Sequence, residues 1–241
     1  MLNMVLLQAV SAAPSGSTLM WVLFIALTLV SMLASKNVER KFKKYAGIRT
    51  EGGLTGCEVA ERMLRDHDIN NVQVCMVKGT LTDHYNPTNR TLNLSPDVYN
   101  GTSVAAAAVA AHECGHAVQH NVGYAPLGFR SALVPVVSFT SRYVSWVLLA
   151  GLLLVKTFPS LLLIGIALFA MSTLFSLVTL PVEINASARA LKWIQQHEIT
   201  SRDTHGYAES ALRSAAYTYV MSAVTSLATL AYYVMIYLDR K

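Results

Sequence analysis

Hydrophobic and polar positions divide the chain into four apolar runs separated by two polar stretches. Ser17 to Ser35 carries no charge and is long enough to cross a bilayer. Ser131 to Val155 and Leu161 to Val182 follow much later, joined by the short link Lys156-Thr157-Phe158-Pro159, and predict a transmembrane hairpin. Ala215 to Leu238 makes a fourth run. In the first polar stretch, Leu54, Val59, Ala60, Met63 and Leu64 recur at helical spacing, with charges on the other face. Val72 to Val77 reads as a strand. Thr80 to Tyr85 and Thr91 to Leu94 read as two more strands around the turn Asn86-Pro87-Thr88-Asn89. The last strand, with its flanks Arg90 and Ser95, is expected to offer an edge on which a peptide could lie extended. Ala105 to His120, AAAAVAAHECGHAVQH, opens almost entirely with Ala and Val and predicts a helix.

The distribution of charge orients these pieces. Lys36, Arg40, Lys41, Lys43 and Lys44 follow the first run directly and nothing positive precedes it, the reverse of a secretory signal. Arg189, Lys192, Arg202 and Arg213 crowd the second polar stretch. Positive residues concentrate on cytoplasmic faces, so both polar stretches are expected in the cytoplasm, with the termini and the 156–159 link outside. The expected organisation is a membrane anchor over residues 1–35, a cytoplasmic α+β domain over 36–130, a transmembrane hairpin over 131–182, a cytoplasmic helical segment over 183–213 and a final transmembrane helix over 214–241. Arg142 interrupts the second apolar run and is expected to be structural, at an interface, snorkelling or paired within the bundle.

Composition agrees: 53% hydrophobic and 14% charged residues are too apolar for an ordinary soluble protein. The net charge of +5 is then a membrane-topology charge, and without RGG runs, a zinc ribbon or a basic helix no nucleic-acid partner is expected. Cys57, Cys75 and Cys114 are odd in number and widely spaced, which argues against a disulfide framework and suits a reducing compartment.

The candidate chemistry lies in the alanine-rich helix, where His112, Glu113 and His116 form H-E-x-x-H. Positions four apart share a helix face, so the two imidazoles can turn toward one zinc ion, with Glu113 placed as general base for a zinc-activated water. Cys114 points off that face and reads as packing. His120 shares the face but lies two turns, about 12 Å, from His112, too far to share the ion. Glu183, in LPVEINASARAL, is the better third ligand, where a span is expected to end and a polar helix to begin, with Pro181 at the boundary. The alternative for Glu183 is a helix-start carboxylate favoured by the macrodipole. Ser187, one turn on, could hydrogen-bond a ligand.

HECGHAVQH, LTDHYNP, LNLSPDVY, GYAPLGFRSALVP and LPVEINASARAL together resemble the bacterial membrane-bound neutral zinc metallopeptidase family, often called YugP-like. The resemblance runs from about Leu54 into the fourth apolar run. It implies an α-helical membrane protein with a small cytoplasmic zincin-like α+β domain and about four transmembrane helices, in the bacterial plasma (inner) membrane. It also implies one Zn2+ per chain on His112, His116 and Glu183, with Glu113 as catalyst of peptide-bond hydrolysis. The family commonly has Asp where this chain has Asn185, a departure that removes no expected ligand. A further donor must meet the oxyanion; His84, Tyr85 and Tyr219 are the candidates, with His84 ranked first. The expected partners are the bilayer and peptide or protein substrates, chiefly flexible membrane-proximal segments. Two rival readings stand beside this one: an intramembrane-type metalloprotease, and a non-catalytic zinc-binding membrane scaffold. The first needs HExxH inside a span, yet the apolar stretch Val104 to Ala111 is too short for one. The second would normally close its zinc site with a fourth Cys or His.

Overall fold

The computed structural model describes residues 15–239, and of residues 15–20 the backbone alone. The start of the expected anchor, residues 1–14, and the end of the expected outer tail, residues 240–241, lie outside the described residues. Helix α1, Ser15–Tyr45, covers the first apolar run and the basic residues after it, and Lys43 and Lys44 complement the dipole of its last turn. Helix α2, Gly56–Asp66, begins with a capping box in which Thr55 and Glu58 satisfy each other's backbone N–H. Its apolar face, Val59, Ala60, Met63 and Leu64, is buried.

Three short strands follow: β1 Gln73–Met76, β2 His84–Asn86 and β3 Thr91–Leu94. Their order is β1-β3-β2, with β1 parallel and β2 antiparallel to β3. This corrects two expectations. The segment from Thr80 is not extended throughout: Leu81 takes φ +57°, and pairing starts only at His84. Residues Thr91–Leu94 form the centre of the sheet, bonded on both sides, because two neighbours need the buried Leu92 and Leu94 between them. The edges of the sheet are β1 and β2 instead. Asn86 turns the chain by accepting the N–H groups of Thr88 and Asn89 on its Oδ1.

After the short α3, Pro96–Tyr99, helix α4, Val104–Asn121, carries HExxH through the middle of the core. Ser103 caps it by accepting the Ala106 N–H. Its alanines let α2, α3, β2, β3 and the long helices approach closely. Helix α5, Ala125–Leu153, and helix α6, Pro159–Gln196, form the hairpin; helix α7, Arg202–Leu238, completes the chain. Helix α6 packs on α5 and α7, and α7 packs on α1. These four are each long and apolar enough to cross a membrane. Arg142 lies on the outward face of α5, about midway along it, with no ion pair among the described residues.

The expected boundary at Glu183 is absent. Helix α6 runs unbroken through Pro181 for 38 residues, so Glu183 is an interior helical residue, and the macrodipole explanation of its charge falls away. A proline removes one backbone donor, and neighbouring helices tolerate that loss in a long apolar helix. Likewise α7 crosses the expected boundary at residue 214 without interruption. The far end of α6 and the start of α7 join the core of the α+β unit: Ala190, Trp193, Ile194, Ala208 and Leu212 pack with Val59, Met63, Leu92 and Val104. Trp193 fastens the two by donating to Asp66 Oδ2 at 3.0 Å.

Candidate metal centre

Helix α4 turns His112 and His116 to one side, their rings edge to face with centroids 4.9 Å apart. Helix α6 brings Glu183 against them. Its Oε2 lies 3.2 Å from His112 Nε2 and 3.5 Å from His116 Nε2. Metal–ligand bonds of about 2.1 Å at tetrahedral angles separate neighbouring ligand atoms by about 3.4 Å, so both His–Glu separations are of the size that zinc requires. Among the described residues, these three form the group able to hold a metal ion, all donor atoms lying within 4.8 Å of one another. Glu183 is almost wholly buried, at 2% exposure, and its other oxygen, Oε1, faces Arg130 Nη2 at 3.6 Å.

The close approach depends on Gly115. A Cβ there would stand 2.6 Å from the Ala186 carbonyl oxygen and 3.1 Å from the Ala186 carbonyl carbon and Cα. All three are backbone atoms, which cannot swing aside as a side-chain tip can. The glycine between the two histidines therefore sets how near α6 comes to α4.

Both histidines are braced on their remote nitrogens. Ser187 Oγ lies 3.1 Å from His112 Nδ1. Gln119 Oε1 lies 3.1 Å from His116 Nδ1. Burial works against charging His116, but Glu183, Glu113 and Gln119 outweigh it and raise its pKa.

Glu113, 8% exposed, accepts the Tyr85 N–H on Oε2 at 3.0 Å. That N–H points away from β3, so the outer side of β2 borders the site, with its Tyr85 donor taken by Glu113. A cleft of about 420 Å³ opens there. The three candidate ligands and Glu113 line it together with His84, Tyr85, Arg130 and Tyr219. Both nitrogens of His84 are engaged, Nδ1 by the Thr82 carbonyl at 2.7 Å and Nε2 by Asn93 Nδ2 at 3.2 Å. His120 stands apart, bonded through Nδ1 to the Tyr85 hydroxyl. Cys114 packs on the opposite side against the Ala60 carbonyl, where burial pushes its thiol pKa well up. Sequence reading missed Arg130 and Gln119. Both lie inside segments already singled out, HECGHAVQH and GYAPLGFRSALVP, but only Gln119, three residues after His116 on the same helix, was within reach of a spacing argument.

Residues 20–238 match the family described as "Putative neutral zinc metallopeptidase". The chain is also 41% identical over 221 residues to the protein of Bacillus subtilis (strain 168) described as "Putative membrane protease YugP", covering 90% of this chain and 97% of that one. No solved structure matches it. The chain belongs to the neutral zinc metallopeptidase family.

Proposed function

We propose that this metallopeptidase is a multi-pass protein of the bacterial plasma membrane that hydrolyses peptide bonds of flexible, membrane-proximal segments on the cytoplasmic side. The observation that carries the chemistry is the His112–His116–Glu183 set, its donor atoms within 4.8 Å of one another and open on one side to a cleft that holds Glu113. A zinc held there would supply Lewis acidity to a water and to the scissile carbonyl. Glu113 is the general base. Its Oε2 is held by the Tyr85 N–H, and its Oε1 takes a proton from the attacking water as the new C–O bond forms. The same carboxyl delivers that proton to the amide nitrogen as the C–N bond breaks. Tyr219 and Arg130, which line the cleft and both interact with Glu183, are the donors for the developing oxyanion. The substrate chain passes through the cleft between the β2 turn and α5. A closed structural zinc site is disfavoured, because among the described residues three ligands gather and the remaining side is cleft.

The membrane reading rests on length. Glu183 lies 24 residues beyond Pro159 in α6, about 36 Å along the helix. Arg130 is 23 residues before Leu153 in α5, about 34 Å, and Tyr219 is 19 residues before Leu238 in α7, about 28 Å. Each distance is close to the roughly 30 Å of a hydrocarbon core. If the 154–158 link stands at one surface, the metal centre stands at the other, where the basic residues at the end of α1 and along the end of α6 also lie. Positive residues favour the cytoplasm for that surface.

Purified in lipid, the protein should carry about one zinc per chain and cleave a flexible peptide tail on a membrane anchor. A chelator should abolish both properties, and zinc should restore them. Zinc-free protein with unchanged cleavage would end the metallopeptidase reading. The same tail free in solution should be cut more slowly; equal rates would remove membrane-proximal selection and leave the chemistry standing. For orientation, a variant without Cys57, Cys75 and Cys114 can carry a single new cysteine. A membrane-impermeant thiol reagent applied to intact cells should label that cysteine at Thr157 and not at Asn89. The reverse pattern would turn the protein over.

A further inference from the structure

Helix α4 continues past HExxH to Gln119, a fully buried amide that touches no cleft and whose every polar contact is accounted for. Its Nε2 lies 2.8 Å from the Val182 carbonyl and 3.0 Å from Asn185 Oδ1. A backbone carbonyl can only accept, so the Gln119 atom facing it must be the NH2 group. The Asn185 amide is oriented just as firmly, because Arg189 Nε, which can only donate, meets its Oδ1 at 2.8 Å. With both acceptors on one side, the Gln119 oxygen is left to face His116 Nδ1 at 3.1 Å. An amide oxygen has no proton to give, so Nδ1 must carry the hydrogen, and the neutral ring then presents its lone pair on Nε2. That lone pair faces Glu183. The Ser187 hydroxyl beside His112 imposes no such rule, since it can donate or accept.

We infer that Gln119 is the positioning residue of the metal centre, holding His116 in its metal-ready tautomer and ring orientation through the relay Arg189–Asn185–Gln119. The inference rests on His116 being a metal ligand. Because Val182 and Asn185 flank Glu183 on α6, the relay also ties the two ligand-bearing helices to each other. Asn185 uses only its oxygen toward Gln119 and Arg189, a task that either an amide or a carboxylate performs. The neutral amide at this position therefore leaves the relay whole.

The test is zinc affinity, read by competition with a chelating dye on full-length protein in lipid. Gln119→Met fills nearly the same space without an acceptor and should weaken zinc binding roughly 10- to 100-fold, the usual cost of losing a histidine's outer partner. Asn185→Asp keeps an acceptor toward both Gln119 Nε2 and Arg189 Nε, so affinity should stay within about threefold of wild type. His116→Ala separates the two readings. If that variant binds zinc as wild type does, the metal-site assignment fails. If it loses zinc while Gln119→Met retains wild-type affinity, or while Gln119→Met and Asn185→Asp are equally weakened, the positioning inference fails. Should Gln119→Met not fold, Asn185→Leu, which removes the acceptor, decides instead: a loss of more than about threefold supports the relay, and a smaller one overturns it.

Discussion

Glu113→Gln should bind zinc as wild type does and lose between roughly 10²- and 10⁴-fold in kcat/KM, the range expected when a general base is removed. That loss corresponds to about 3–5 kcal/mol of transition-state stabilisation. The substitution is almost isosteric, and the amide oxygen can still accept the Tyr85 N–H that Glu113 Oε2 now holds at 3.0 Å. Fold and metal site should therefore survive, while the group facing the cleft can no longer take a proton. The assay is cleavage of the anchored tail, with zinc content measured on the same preparation. Retained activity would mean that another group moves the proton. Loss of zinc together with activity would make Glu113 a structural member of the site.

Glu183→Ala should lower zinc affinity by more than the roughly 10- to 100-fold that follows loss of an outer hydrogen-bond partner, because it deletes one of three ligands. It also leaves Arg130 without its carboxylate at 3.6 Å. Gly115→Ala tests the same geometry without touching a ligand. Its Cβ would drive the Ala186 backbone outward from a 2.6 Å contact, and Glu183, three residues earlier on α6, would move with it. We expect weakened zinc binding and a destabilisation of about 1–3 kcal/mol from overpacking. Metal titration and thermal unfolding of the two variants check this. Wild-type affinity in Glu183→Ala would put the third ligand elsewhere. Wild-type affinity in Gly115→Ala would show that the helix crossing has slack.

Much of the site could be read from residue order because its parts are local. His112 and His116 are one helical turn apart, and their common face follows from 3.6 residues per turn whatever surrounds them. Ser187 relative to Glu183 is the same argument on α6, and the contact of Ser187 with His112 agrees with it. The four apolar runs were legible for an equally local reason, since crossing length is a count of residues. The pairing of Glu183 with HExxH was reachable only by way of charge and topology, which limited both to one surface. The family resemblance added its motifs to that argument.

What order along the chain could not decide was whatever depends on a partner distant in sequence. Short strands do not announce which of them is central, so Arg90 to Ser95 was read as an edge when the sheet uses Thr91–Leu94 as its middle and β2 as its border. Pro181 reads as a boundary in isolation, yet packing against α5 and α7 carries α6 straight through it. Arg130 enters the cleft because α5 lies beside α6, a relation that no spacing encodes. The sequence by itself determined which helix offers two imidazoles and a carboxylate, and which runs are apolar enough for a bilayer. The tertiary structure alone decided how close the third ligand comes and which way His116 is wired. Both are distances between backbones more than 60 residues apart, set by a glycine that admits Ala186 and an amide that reaches Val182.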